Sequence, residues 1–88
     1  MGEIRQNVGY QIIETVKIND VEFVLGEKQD AVCSKYVTWY CKNNEEYNFG
    51  HYFNDKQKAQ LNLYHRALKE LGFRVKILKE QSKWKIKK

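Results

Sequence analysis

Two runs of alternating apolar and polar residues, joined by a two-residue turn signal, constrain the fold of this chain most strongly. Apolar residues fall mainly on alternate positions from Tyr10 to Ile18, and a period of two over this length predicts a half-buried β-strand. Asn19 and Asp20 follow, and both residue types tolerate the positive φ of a tight turn. The alternation then resumes over residues 21–25. The sequence therefore predicts a β-hairpin.

A second pair of strands is predicted further along the chain. Residues 36–41 are aromatic and β-branched, a composition that suits a pleated sheet. Asn43 and Asn44 supply a turn, and residues 47–53 alternate again. Between residues 26 and 34 the sequence has no clear period and predicts a loop.

The alternation also assigns side chains to faces of these two strands. One face is predicted to hold the core residues Val37, Trp39 and Cys41, and the opposite, outward face to hold Tyr36, Thr38 and Tyr40. In the next strand, one face is predicted to hold Tyr47, Phe49, His51 and Phe53. Gly50 in mid-strand predicts a bulge or a close approach to the backbone, for which Trp39 is large enough.

A helix is predicted from Asp55 to about Leu71. Asn54 is a favourable N-cap residue, Gln57 fits the third helical position of a capping box, and Gly72 is typical of the residue just after a helix. Two apolar stripes are candidates for the buried face. The first comprises Ala59, Leu63, Ala67 and Glu70. The second, which is more apolar and is therefore expected to face the sheet, comprises Leu61, Tyr64, Leu68 and Leu71.

After the helix, residues 73–77 alternate again and predict a fifth strand, and Trp84 and Ile86 suggest a short last strand or an ordered tail. The predicted fold is α+β: an antiparallel β-meander of four to six strands with one amphipathic helix packed on one face. At 88 residues the chain is expected to be a single domain, 1–88, with a flexible start over 1–9 and a basic C-terminal segment over 80–88. Because no apolar run approaches the length of a membrane span, a cytoplasmic location without membrane binding is expected.

Positive charge is concentrated at the C-terminal end. The last fifteen residues hold seven basic side chains and one acid, which leaves a net charge of −1 for the other 73 residues out of a total of +5. Such an end can contact nucleic acid, an acidic protein surface or anionic lipid, or it can simply keep the chain in solution. The candidate contact residues are Arg74, Lys76, Lys79, Lys83, Trp84, Lys85, Lys87 and Lys88.

The aromatic residues between positions 36 and 53 suggest a second contact surface. If the outward face is exposed, then Tyr36, Tyr40 and Tyr52 are candidates for binding a partner, since exposed tyrosines near lysines are common where proteins meet other proteins or bases. A cross-strand aromatic ladder that stiffens the sheet is the alternative.

The residue types needed for catalysis or metal binding are present but badly spaced. Cys33, Cys41, His51 and His65 are too far apart in sequence to form the paired ligands of a usual zinc site. No serine or cysteine has the context of a nucleophile, and no glycine-rich phosphate loop is present. We therefore expect no enzymatic activity, no cofactor and no metal.

Three segments carry a resemblance to a known group. Residues 21–26 (VEFVLG), residues 35–39 (KYVTW) and residues 50–53 (GHYF), placed ahead of an amphipathic helix, resemble small proteins of phages, plasmids and conjugative elements of Gram-positive bacteria. The resemblance spans roughly residues 10–71 and brings no catalytic residues with it. It implies a non-enzymatic inhibitor of host defence, similar to anti-CRISPR proteins, or an accessory nucleic-acid binder. The partner implied is a host protein or ribonucleoprotein complex, with DNA or RNA as the alternative.

Overall fold

The fold is a five-stranded antiparallel sheet covered on one face by a single long helix. The computed structural model describes residues 5–86, and the side chains of residues 5–80. Its elements are β1 (Gln6–Asn7), β2 (Tyr10–Ile18), β3 (Val21–Glu27), β4 (Tyr36–Lys42), β5 (Glu46–Phe53) and α1 (Lys56–Ile86). Each strand pairs with its neighbour in sequence, in the order β1-β2-β3-β4-β5. The predicted α+β meander with one helix on one face is confirmed.

Both predicted turns are formed by asparagines with left-handed backbone. Asn19 has φ 57° at the β2–β3 turn, where Ile18 pairs with Val21. Asn43 and Asn44 have φ 57° and 62° at the β4–β5 turn. Asparagine adopts this conformation more readily than most residues, so these residues set the two hairpins.

An irregularity in β2 moves its side chains from one face of the sheet to the other. Ile12 pairs with Gly26 and Glu14 pairs with Leu25, which leaves Ile13 as an extra residue. Before this bulge β2 contributes Tyr10 to one side of the sheet, and after it β2 contributes Val16 to the other. The strand β2 therefore contributes side chains to both faces of the sheet.

The sheet has a hydrophobic core on each face. The helix-side core lies between the sheet and α1 and contains the buried residues Val21, Phe23, Leu25, Ala59, Leu63 and Ala67. The far-side core lies on the opposite face and contains Tyr10, Val24, Val37, Trp39 and Cys41. Because β3 contributes to both cores, every residue from Val21 to Gly26 is buried.

The outward orientation predicted for Tyr36, Thr38 and Tyr40 is wrong, because this is the face that α1 covers. Thr38 is fully buried; its hydroxyl donates to Asn62 Oδ1 at 2.6 Å and accepts from Arg66 at 2.9 Å. Tyr36 and Tyr40 are half-buried against the helix-side core. Alternation distinguishes two faces of a strand but cannot show that both are covered.

A second irregularity lies in β5 and confirms the prediction made from Gly50. Thr38 pairs with His51 and Tyr40 with Asn48, so an extra residue is accommodated opposite Trp39. Phe49 has φ 55° at this point. Because of the shift, Tyr47 packs against the far-side core, whereas Phe53 packs against the helix-side core. Of the predicted shared face, Tyr47 is therefore misplaced, whereas Phe49, His51 and Phe53 do lie together on the helix side.

The helix begins one residue later than its predicted cap implies. Asp55 Oδ1 accepts a hydrogen bond of 2.8 Å from the backbone N–H of Gln57, and so it caps a helix that starts at Lys56. Asn54 has a different role, since its Oδ1 accepts from the backbone N–H of Ser34 in the β3–β4 loop.

The less apolar of the two predicted stripes faces the sheet. Ala59 and Leu63 are fully buried and Ala67 is 7% exposed. The stripe that was expected to be buried, Leu61, Tyr64, Leu68 and Leu71, is 41–62% exposed. Two alanines allow the helix to approach the sheet closely, so fit decides which stripe is buried rather than total hydrophobicity.

The predicted end of the helix near Leu71 and the strand predicted over residues 73–77 are wrong, and the backbone at Trp84 and Ile86, for which a short strand or an ordered tail was the expectation, is helical. The helix runs through Gly72 and residues 73–77 to Ile86. Lys83, Trp84 and Lys85 lie on this helical backbone, whereas Lys87 and Lys88 lie outside the described residues. Once a helix is formed, each further residue adds a hydrogen bond at little cost, and no proline interrupts the chain.

Part of the start of the chain, expected to be flexible, is tied to the sheet. Gln6 pairs with Gln11 and Asn7 with Tyr10. Arg5 donates to Glu22 and to the hydroxyl of Tyr47, each at 3.0 Å. Within residues 5–86, no helix is long and apolar enough to cross a membrane.

Candidate functional site

The most distinctive surface is the part of α1 that extends beyond the sheet. The last side chain of α1 in the helix-side core is Ala67, and the helix continues to Ile86, a further ~28 Å at 1.5 Å per residue. The described part of the chain accordingly measures 59 × 27 × 21 Å. From Leu68 to Glu80, most side chains of α1 are therefore exposed.

Arg74 anchors this extension to the sheet. Its guanidinium bonds to Glu70 at 2.9 Å and to Asp20 of the β2–β3 turn at 3.0 Å. The hydrogen bond to Glu70 contributes most to raising the pKa of Arg74, and Asp20 adds to the effect. Arg74 is one of the candidate contacts for nucleic acid or an acidic surface, but its charge is already engaged by two carboxylates.

Four lysines form a basic face on the solvent side of α1. Lys58, Lys69, Lys76 and Lys79 are all exposed, and at 100° per residue they share one side of the helix with His65. Among the described side chains, none of these lysines has an ion-pair partner. The basic face spans about 32 Å along the helix axis.

An aromatic ring borders the basic face. Phe73 is 60% exposed and lies four residues after Lys69 and three before Lys76, so the three side chains are neighbours on the helix surface. A ring beside unpaired ammonium groups can stack on a base while the lysines contact phosphates. The sequence pattern does not place Phe73 beside Lys69 and Lys76, because it predicts a strand over residues 73–77.

The predicted tyrosine surface does not form a single patch. Tyr36 and Tyr40 are half-buried on the helix side of the sheet, where the ring of Tyr40 lies 5.7 Å from that of Phe23 and 6.2 Å from that of Phe49. Tyr52 is 52% exposed and lies on the far side, with its ring 6.2 Å from that of Tyr10. The sheet thus separates Tyr52 from the other two.

A polar network joins α1 to β4 beneath the basic face. Arg66 donates to the backbone carbonyl of Thr38 at 3.1 Å and to its hydroxyl at 2.9 Å. Burial lowers the pKa of Arg66, and its guanidinium lies 5.8 Å from the centre of the Phe23 ring. These contacts fix the rotation of the helix about its axis and hence the direction in which the basic face points.

The candidate metal ligands are dispersed. Cys33 is exposed in the β3–β4 loop and Cys41 is buried in the far-side core. His51 lies on β5 beside Asn62, at 3.4 Å. Across the described part of the chain, no three His, Cys, Asp or Glu side chains are grouped so that they could hold a metal ion.

Comparison of the chain with known proteins finds no match. No family model, no curated protein and no solved structure matches the chain.

Proposed function

We propose that this protein is a non-enzymatic binding protein of a mobile element that inhibits or modulates a host defence or nucleic-acid-processing complex in the cytoplasm. The observation that carries the proposal is the basic face of α1, along which Lys58, Lys69, Lys76 and Lys79 have no ion-pair partner among the described side chains over about 32 Å of helix. The sheet fixes the position of α1, and the basic face of α1 exposes the positive charge to a partner.

The charge distribution favours an anionic partner surface. Over residues 56–80, where the side chains of α1 are described, seven basic side chains stand against Glu70 and Glu80, and Glu70 is already bonded to Arg74. Such a surface attracts polyanions, whether an acidic protein face or the nucleic-acid backbone of a ribonucleoprotein. The resemblance of residues 21–26, 35–39 and 50–53 to proteins of mobile elements supplies the biological setting.

The inhibitor proposal is tested by the plating efficiency of a phage that the host restricts. Expression of the protein should raise plating at least tenfold, and a variant with Lys69, Lys76 and Lys79 changed to Glu should lose the effect. The matched control changes Lys17, Lys35 and Lys42, three exposed lysines of the sheet and its loop, to Glu. Equal activity of the two triple variants would overturn the role of the basic face. Absence of any relief across restriction and CRISPR hosts would overturn the inhibitor function.

Direct binding of DNA or RNA is the second candidate, and the position of Phe73 between Lys69 and Lys76 favours it. Fluorescence anisotropy with single- and double-stranded DNA and RNA at two salt concentrations tests it. We expect the logarithm of the affinity to fall with the logarithm of salt concentration by about 0.7–0.9 per phosphate contacted. Phe73→Ala should weaken binding to single strands more than to duplexes. Anisotropy that does not change with any nucleic acid would exclude this candidate.

A further inference from the structure

An exposed aromatic ring stands on the last strand of the sheet, on the side that α1 covers. Phe49 is 72% exposed and lies in β5 at the end of the strand order. Its φ of 55° is an outlier for a bulky side chain. Backbone held in such a conformation is concentrated at functional sites, where the surrounding structure enforces it. The ring of Phe49 is therefore a candidate contact for a partner.

Two further rings support Phe49 from the interior. Its ring lies 6.2 Å from that of Tyr40, which in turn lies 5.7 Å from that of Phe23 in the helix-side core. The guanidinium of Arg66 lies 5.8 Å from the centre of the Phe23 ring. A continuous series of contacts thus joins the exposed ring to α1. A ring supported in this way loses little conformational freedom when it binds.

Hydrogen bonds show which flank of α1 faces this part of the sheet. Asn62 Oδ1 lies 3.4 Å from Nδ1 of His51 on β5, and Arg66 donates to the carbonyl of Thr38 on β4 at 3.1 Å. The flank that carries Asn62 and Arg66 therefore faces β4 and β5.

The basic face borders the same flank. Lys58 lies four residues before Asn62, and Lys69 lies three residues after Arg66, so each is a neighbour of this flank on the helix surface. Phe73 lies seven residues after Arg66, which places it about two turns further along the same flank. We call the surface formed by Phe49, His51, Lys58, Lys69 and Phe73 the β5–α1 surface.

The chemistry of the β5–α1 surface suits a nucleic acid better than a protein. Asn48, Gly50 and the exposed His51 flank Phe49 along the strand, so its ring is not part of the well-packed apolar pocket that anchors a protein side chain. A nucleobase offers a planar face to such a ring, and its phosphates offer charges to the lysines. In a duplex both faces of a base are covered by the neighbouring bases, so only an unpaired base can stack on Phe49.

We propose that the β5–α1 surface binds a single-stranded segment of nucleic acid, with an unpaired base stacked on Phe49 and the adjoining phosphates on Lys58 and Lys69. This inference rests on the proposed function, since it uses the same basic face. It adds that the partner is recognised through unpaired bases as well as through charge.

Fluorescence anisotropy with two labelled strands of equal length tests the stacking. One strand is oligodeoxythymidylate, and the other is an abasic strand with the same number of phosphates. The wild type should bind the thymidylate strand more tightly. Phe49→Ala should weaken binding of the thymidylate strand by roughly 5- to 150-fold and leave binding of the abasic strand unchanged, whereas Phe49→Tyr should bind both strands as the wild type does.

Tyr52→Ala is the matched control. Tyr52 is 52% exposed on the same strand but lies on the far side of the sheet, so its removal should not change the affinity for either strand. Circular dichroism checks that all three variants stay folded. A Phe49→Ala variant that binds the thymidylate strand as tightly as the wild type would overturn the proposal.

The abasic strand separates this inference from the proposed function, because it reports on the lysines alone. Equal, salt-dependent binding of both strands by the wild type would overturn the stacking and leave the basic face in place. Tighter binding of polyglutamate than of the thymidylate strand would overturn the inference in favour of an acidic protein partner. Binding of neither strand would also overturn the inference, and the plating test would then decide the proposed function by itself.

Discussion

Trp39 lies directly against the backbone of Gly50. A Cβ atom on Gly50 would be 2.9 Å from Nε1 of Trp39 and 3.2 Å from its Cδ1, and Trp39 is only 4% exposed. Because the indole cannot move without disturbing the far-side core, Gly50→Ala should lower the free energy of unfolding by about 1–3 kcal/mol. Urea unfolding followed by tryptophan fluorescence measures this change. An unchanged midpoint would contradict the packing described here.

The same substitution at Gly72 should have the opposite effect. Gly72 lies inside α1, and a Cβ atom there would have nothing within 4 Å. Alanine loses less conformational freedom than glycine when a helix forms, so Gly72→Ala should raise the free energy of unfolding by roughly 0.5–1 kcal/mol. A loss of stability in the urea experiment would instead support a helix end at this position.

The effect of a substitution at Leu63 on stability tests which stripe of α1 faces the sheet. It is fully buried in the helix-side core, so Leu63→Ala should cost about 2–5 kcal/mol of unfolding free energy. Lys69→Ala on the basic face is the matched control and should change stability by less than about 0.5 kcal/mol. Similar effects of the two substitutions would contradict the helix orientation.

The two cysteines should differ sharply in reactivity. Cys33 is exposed, whereas Cys41 is 1% exposed and burial raises the pKa of its thiol. The thiolate is the reactive form, so Ellman's reagent should modify one thiol quickly in the native protein and both in denaturant. In Cys33→Ser the fast phase should disappear. Rapid reaction of Cys41 in that variant would show that the far-side core opens readily.

Stability should decrease at alkaline pH. Burial raises the pKa of both Tyr10 and Cys41, so the folded protein holds these protons more tightly than the unfolded chain. The ordinary pKa is 10.0 for tyrosine and 9.0 for cysteine. The stability contributed by each group is fully present below its ordinary pKa and is lost as the pH rises through the pKa of that group in the folded protein.

Urea midpoints measured from neutral to strongly alkaline pH will show this decrease. Tyr10→Phe removes one of the two groups and should make the dependence on pH shallower, even though it also removes the 2.6 Å hydrogen bond to the carbonyl of Ser34. The same slope in the variant and the wild type would assign the pH dependence to other groups.

Local signals in the sequence sufficed for the four strands β2 to β5, although they did not predict β1. Alternation and the turn-forming Asn19, Asn43 and Asn44 placed both hairpins, and Gly50 indicated the close approach of Trp39. These features depend on residues adjacent in sequence or directly opposite in a hairpin, which is why sequence patterns predict them.

The helix was harder to predict for two physical reasons. Residues 73–77 alternate over a length too short to distinguish a strand from a helix, and Gly72 resembles a helix end although it is helical here. In addition, the stripe that is buried is the one in which the small side chains of Ala59 and Ala67 allow a close fit against the sheet. The hydrophobicity of a stripe does not indicate how closely it fits. The basic face is complete only when the helix is extended past Gly72 to Lys79.

The double burial of β3 has a consequence for how this protein can change through evolution. From Val21 to Gly26 each side of the strand contributes to one core or the other, and a Cβ atom on Gly26 would already be 3.0 Å from Cβ of Tyr10. Six consecutive positions therefore tolerate few replacements. Divergence among descendants of this chain will accumulate on β5 and on the exposed sides of α1, so new binding specificities can arise there while the central strand keeps its sequence.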